Sequence, residues 1–516
     1  VSNAHHLLRT ALAVIVALAL YELVLRAWLL GKLRESLHRR SRRYAEKHDV
    51  RVDLFKYGGR LLVKEELLND PVVNEAMRDA ARGGPSPRPG QPPREPRPPE
   101  EVRRDVEGYI DEIVPAFSLT AYYQFGMGLA KAAIRAVYRP VIDRASRERL
   151  RALPKDATAV FLINHRSNFD YVVLGWALAR QVAVSYAVGE WARVFPLDAL
   201  FKAFGGFFVR RGFPDPLYHQ VLRRYLQLIT RRGVTQGIFP EGGLTRDGAL
   251  RTPKVGLLDA LLQLTCEPGF NRELYFVPVG INYDRVLEDQ QLLSEKRGRE
   301  NPPTRVEKLG GAVRMLALLP FRAALGLYRA LRGKLQLGGY VAVAFGEPVR
   351  FSSWAREHHI DLASQTDEQR RATAKQVAVD LMSEIAHVIP ATPVPLVARA
   401  MLELGETTRE ALNDRVRELR AKLEARGVPV ALGEEFEGTQ RAQAALADDS
   451  DRNRDMARLT GDVLASEEAE AIARLGLALL ARRGLLLRAN GKIAVAAGAE
   501  QREVLAYYSN SLPALS

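Results

Sequence analysis

Cysteine is the scarcest residue in this 516-residue chain, with Cys266 the only one. A single thiol excludes an intramolecular disulfide and any metal site built on several thiolates, and it suits a body facing a reducing compartment. No third His or Cys stands at ligand spacing from His165, so no metal and no bound cofactor are expected. No repeat period and no sustained heptad occur, which sets aside solenoids and long coiled coils. No recognised nucleic-acid motif is present. The basic residues are spread through helical stretches, so nucleic acid is not the expected partner. No small-residue cleavage site follows the first apolar run, so that run reads as a retained anchor rather than a removed leader.

What is present is apolar and basic. Hydrophobic residues make up 47% of the chain, enough for a sizeable core, and the formal net charge is +14. Such an excess points to an anionic partner: a phosphorylated substrate, an anionic membrane face or nucleic acid. Residues 7–30 are mostly apolar and long enough to cross a hydrocarbon layer of about 30 Å. Lys32, Arg34, Arg39, Arg40, Arg42 and Arg43 follow, the pattern of a cytoplasmic flank. Glu22 and Arg26 shorten the clean span, so a helix lying in the membrane surface is the other reading. The predicted location is the cytoplasmic membrane, with the body of the protein inside. Arg314, Arg322, Arg329 and Arg332 punctuate the apolar stretch 315–331, which also suits an anionic bilayer. Ordinary core packing is the alternative for this stretch and for the Leu- and Phe-rich residues 195–208.

The boundaries are compositional. Residues 1–31 read as the anchor, 32–81 as a basic membrane-proximal segment, and 82–101 as a Pro-rich linker that cannot form a ladder or helix. Residues 102–150 carry helical periodicity. From Thr158 the period changes. Val160 to Ile163, Gly206 to Val209, Thr235 to Phe239, Leu274 to Ile281 and Tyr340 to Phe345 read as strands alternating with helices, which predicts an α/β domain over 151–389. Beyond it, 390–516 reads as mainly helical, with a hairpin near Lys492 to Ala496.

Polar chemistry collects where the predicted strands end. The first is followed by His165-Arg166-Ser167-Asn168-Phe169-Asp170, with a helix expected to start near Ser167 or Asn168. A turn at Ser167 lets the Asp170 carboxylate reach one imidazole nitrogen, leaving the other free to take a proton from an alcohol. A loop histidine beside a helix-capping aspartate is the plainer alternative. Arg210 and Arg211 close the second strand, as phosphate ligands or as a solvated strand end. Glu241, Gly242 and Gly243 close the third, followed by Arg246, Arg251 and Lys254. Glycines there let the backbone approach a ligand, and the cations favour an anion. In open α/β sheets, ligands favour the carboxyl ends of strands.

In order and spacing, H-R-S-N-F-D, G-G-F-F-V-R-R, F-P-E-G-G and V-P-V-G-I resemble the glycerolipid acyltransferase family, above all its bacterial glycerol-3-phosphate acyltransferase branch. The likeness extends through Tyr283-Asp284-Arg285-Val286, residues 391–397 and the closing Tyr507-Tyr508-Ser509-Asn510-Ser511, and so covers about 105–516. It implies a mixed, largely parallel sheet flanked by helices. It also implies transfer of a long-chain acyl group from acyl-CoA or acyl carrier protein to the first hydroxyl of glycerol 3-phosphate, without an acyl-enzyme. Lysophosphatidate, dihydroxyacetone phosphate and other lysolipids are the neighbouring acceptors. Under this resemblance His165 is the general base and Asp170 its orienting partner, Arg210 and Arg211 bind phosphate, and Glu241 and Gly242 bind the acceptor. Arg246 matches the second arginine of that block and Pro278 shapes the pocket, while Gly243 and Lys254 are added as acceptor-binding candidates on their own chemistry. One departure stands out: Leu244 follows the paired glycines, where close relatives usually have arginine.

Overall fold

The computed structural model describes residues 59–83, 95–115, 127–154, 156–178, 184–189, 201–202, 205–210, 212–298, 338–431, 436–437, 468–489 and 491–515. The expected anchor (1–31), most of the Pro-rich linker, Arg211 and the basic stretch 315–331 lie outside the described residues. Among the described residues, no helix is long and apolar enough to cross a membrane.

Among the described residues nine strands form one sheet: β1 (Arg139–Asp143), β2 (Thr158–Ile163), β3 (Ser185–Gly189), β4 (Gly206–Val209), β5 (Gln236–Ile238), β6 (Leu274–Tyr283), β7 (Tyr340–Phe345), β8 (Val349–Arg350) and β9 (Phe436–Glu437). Their spatial order is β4-β3-β5-β2-β6-β7-β1-β9, with β8 also against β6. From β4 across to β6 every pairing is parallel. β7 turns antiparallel to β6 and runs parallel to β1, while β8 and β9 pair antiparallel. This is the mixed, largely parallel sheet expected. Further along the chain, β10 (Leu486–Ala489) and β11 (Lys492–Val495) form the predicted hairpin.

β2 explains why the sheet sits where it does. All six of its residues are buried, the continuous apolar run of a strand covered on both faces. Phe161 and Ile163 face one core with Leu174, Val397, Met401 and Tyr508. Val160 and Leu162 face the other, with Leu226, Leu261, Leu381 and Ile385. The helices Pro393–Leu404, Glu468–Arg482 and Ala499–Ser509 thus contribute to the same core as β2, β6 and β7. Helices Pro71–Ala81 and Pro99–Ile113 join the opposite layer, where Arg224 ties Asp70 at 2.8 Å to Glu267 at 2.6 Å.

Three expectations need correction. The stretch 102–150 is not helical throughout, because β1 lies inside it and pairs with β7. Its Pro140 is tolerated because the neighbouring Arg139 N–H is the one that bonds Gly339, while β9 pairs only with Ile142 and Asp143 on the other edge. The Pro-rich linker ends earlier than 101, since a helix begins at Pro99, where a missing N–H costs no intrahelical bond. The helix after His165 begins at Asp170, later than Ser167 or Asn168, because Ser167–Phe169 form a turn held from outside the helix.

Candidate active site

The parallel register of β2 and β5 sets Leu162 opposite Ile238. Three residues further along each strand, His165 and Glu241 therefore leave the sheet level with one another. Asn164 fixes the exit. Its side-chain amide donates to Ile281 O at 2.9 Å and accepts from Ile281 N at 2.8 Å, copying one more ladder pair between β2 and β6.

The turn that follows is held by carboxylates. His165 N–H donates to Glu241 Oε1 at 2.8 Å, Arg166 N–H and Ser167 N–H donate to Asp170 Oδ2 at 2.8 and 3.0 Å, and Asn168 N–H donates to Glu288 Oε1 at 3.1 Å. Ser167 Oγ donates to the other Glu288 oxygen at 2.7 Å. Four consecutive amides thus end on three acidic side chains, which keeps their positive dipoles satisfied in a buried turn.

His165 Nδ1 lies 2.9 Å from Asp170 Oδ2, with both side chains almost fully buried. An ionised carboxylate already accepting two N–H groups requires the ring proton on Nδ1, which leaves the Nε2 lone pair free. Nε2 is buried and has no hydrogen-bond partner among the described residues. Phe239 lies against the ring at 4.1 Å, tilted by 30°, and Tyr171 meets it edge-on at 5.8 Å, so the ring is held from two sides. The turn predicted to bring Asp170 back to the imidazole therefore forms.

The other predicted site residues fall into different settings. Glu241 is buried, and both of its oxygens are occupied, Oε2 by Arg251 N–H at 3.0 Å. Burial pushes its carboxyl up to about 7 against the pull of the His165 and Arg251 amides and the Arg166 charge. Its contacts are those of a brace between loops. Gly242 adopts φ 63°, and a Cβ there would stand 2.6 Å from Lys254 Cδ. Gly243 is buried beside it, and Lys254 is exposed. Arg246 pairs with Glu295 at 3.4 Å. Arg251 reaches the Leu244 carbonyl at 3.3 Å, while the Leu244 side chain packs against the core. Pro278 sits inside β6 opposite Leu162 and accepts the Gly346 amide.

Arg210 is not a free guanidinium. It donates to both Glu112 oxygens, at 2.5 to 3.0 Å, and lies 4.5 Å from the Phe213 ring centre, with Tyr109 and Tyr218 around it. Glu112 stands 98 residues away in sequence, so no local pattern announces the pair.

Sequence reasoning passed over four contributors: Asn164, Arg166, Glu288 and Tyr283 as a hydrogen-bond donor. Arg166 is wholly buried, which lowers its pKa, and its guanidinium donates to the carbonyls of Gly248 and Ser511. Glu288 is pushed up by burial. Its partners lie about 120 residues away in the chain, beyond any spacing rule.

A buried His–Asp pair at the carboxyl end of a parallel strand, with a glycine-bearing loop beside it, is the arrangement of a general base. The acyltransferase family model matches residues 145–282, which span His165 to Pro278, and the glycerol-3-phosphate acyltransferase C-terminal region matches residues 324–472. The chain is 29% identical to a glycerol-3-phosphate acyltransferase of Aeromonas hydrophila, over 73% of this chain and 45% of that one. It is 27% identical to that of Pasteurella multocida, over 66% and 39% of the two chains. With that of Alteromonas mediterranea it shares 28% identity, over 61% and 36%. The 1-acyl-sn-glycerophosphate acyltransferase of Thermotoga maritima overlaps 56% of this chain and 84% of its own at 15% identity, with a TM-score of 0.27, too low to bear on the fold. Residues 145–282 thus carry an acyltransferase domain, and the chain is similar to bacterial glycerol-3-phosphate acyltransferases. It spans less than half the length of these three relatives.

Proposed function

We propose that the protein transfers a long-chain acyl group from acyl-CoA or acyl carrier protein to the first hydroxyl of glycerol 3-phosphate, giving lysophosphatidate. The observation that carries this reading is the free Nε2 of His165 opposite an Nδ1 held by Asp170. Nε2 takes the hydroxyl proton as the alcohol oxygen attacks the thioester carbonyl. The carbon–sulfur bond then breaks, and the departing thiolate receives the proton from the imidazolium. Asp170 keeps the tautomer and favours the transient ring charge. An acyl-enzyme on Cys266 is not needed. That residue caps the far end of the ten-residue helix Gly256–Thr265, on the order of 15 Å from the end that follows Lys254.

Arg246, Arg251 and Lys254 ring the loop after β5 and are the cations assigned to the acceptor phosphate. Arg251 sits against Leu244, where relatives usually carry arginine, and can supply the charge that position lacks. The apolar run at 7–30 and the basic residues after it support a place at the cytoplasmic membrane.

The test is acyl transfer in the membrane fraction of cells expressing wild type or His165→Ala, with glycerol 3-phosphate and either thioester. Lysophosphatidate should form, and the variant should lose at least ~100-fold, the scale of a general base. Acylation of lysophosphatidate alone would overturn the acceptor. Activity confined to the soluble fraction would overturn the membrane placement.

A further inference from the structure

The two oxygens of Asp170 are treated differently. Oδ2 receives His165 Nδ1 and the amides of Arg166 and Ser167, whereas Oδ1 receives only the Tyr283 hydroxyl, at 2.6 Å, among the described residues. Tyr283 is the last residue of β6 and is completely buried, which holds its phenol well above the ordinary range and keeps it a donor. Its place is set from three sides. Its N–H donates to Asn282 Oδ1 at 3.0 Å, and its ring lies 5.3 Å from that of Tyr138. The next residue, Asp284, accepts the amides of Tyr340 and Val394 at 2.7 and 2.8 Å, tying the strand end to β7 and to the helix Pro393–Leu404.

We propose that Tyr283 is a positioning residue for acyl transfer, holding Oδ1 of Asp170 so that Oδ2 stays aligned on His165 and its hold on the protonated ring is moderated. The proposal rests on the reading of His165 as the base. A buried carboxylate oxygen stripped of its one donor is costly, and rotation about χ2 is the available relief. Rotation would also pull Oδ2 from Nδ1. A carboxylate that stays in place but lacks the phenol would bind the imidazolium more tightly, so the base would be freed only at higher pH. The other titratable groups around the pair are Arg166 in the turn, Glu241 after β5, Glu288 after β6, Tyr138 before β1, Tyr171 beside Asp170, and Tyr507 from the helix Ala499–Ser509. None of them donates to Oδ1.

Tyr283→Phe removes the hydroxyl and keeps the ring. The expected result is a fall in kcat of about 10-fold with KM for both substrates little changed, and an acidic limb of kcat/KM displaced upward by about half a pH unit. In an Asp170→Asn background the same substitution should add nothing, because the group it acts through is gone. Installing 3-fluorotyrosine at 283 strengthens the donor and should move the limb the other way, a readout that survives if the phenylalanine variant folds poorly. An unmoved limb in both variants, or effects of Tyr283→Phe and Asp170→Asn that simply add, would reduce Tyr283 to a packing residue. Wild-type activity that persists in His165→Ala would instead sink the base assignment beneath this proposal, so the two failures are told apart.

Discussion

Asn164 shows how much a single side chain carries here. By pairing with both polar groups of Ile281 it continues β2 for one residue after the backbone has begun to turn, and His165 is launched from that extension. Asn164→Ala would leave a buried N–H and a buried C=O bare. Equilibrium urea unfolding should register a loss of about 2–3 kcal/mol, with activity falling further than stability because the base shifts with the strand end. A fully active variant with that stability loss would show that the turn is held by its carboxylates alone. Asn164 is visible in the sequence only as a polar residue after an apolar run. Its task depends on Ile281, 117 residues later.

At the scale of elements, the loop after β5 and the C-terminal helix Ala499–Ser509 are built against each other. Gly248 takes φ 81°, and a Cβ there would collide with the Tyr507 carbonyl, while Asn510 donates to Asp247 O at 2.9 Å. Gly248→Ala should therefore loosen the segment 507–511, seen as faster proteolysis at the C-terminus, and should lower activity by about 10-fold or more. Gly242→Ala makes a useful contrast. Its new methyl meets only the flexible Lys254 side chain, so it should be milder despite a similar positive φ. Equal effects of the two would argue that backbone strain, and not docking of the helix, governs the loop. The strands that were legible from sequence, β2, β4, β5, β6 and β7, are those whose apolar runs are dense enough to stand alone. β1 and β3 were not, because Arg139–Asp143 carries a proline and follows a helical pattern, and Ser185–Gly189 opens on serine and closes on glycine, with no dense apolar run between. Both gain their strand character from partners distant in sequence. The His–Asp pair was legible because its partners are five residues apart, whereas Glu112 and Glu288 reach the site only through the fold.

At the scale of the whole molecule, two buried carboxyls couple stability to pH. Asp284 and Glu241 are each pushed up to about 7 by burial, from ordinary values of 3.8 and 4.5. The folded state therefore holds these protons more tightly than the unfolded chain. Their contribution is full below the unfolded values and is lost as pH rises through 7. The urea midpoint should drop as pH rises from about 4.5 to about 7 and level off above that, and the drop should shrink in Asp284→Asn; a midpoint that does not move would contradict it. The sheet and the C-terminal helices share one core, and Asp284 lies on the seam between them. Arg166 spans the same seam, with a fully buried charge whose acceptors include a carbonyl 345 residues later, at Ser511. At ribosomal rates, roughly 20–70 s pass between the synthesis of that arginine and of the residue that receives it. Through that interval the nascent chain carries His165 and Asp170 while the buried Arg166 beside them still lacks its Ser511 acceptor, so a charge next to the His–Asp pair waits for its partner until the distal helices arrive.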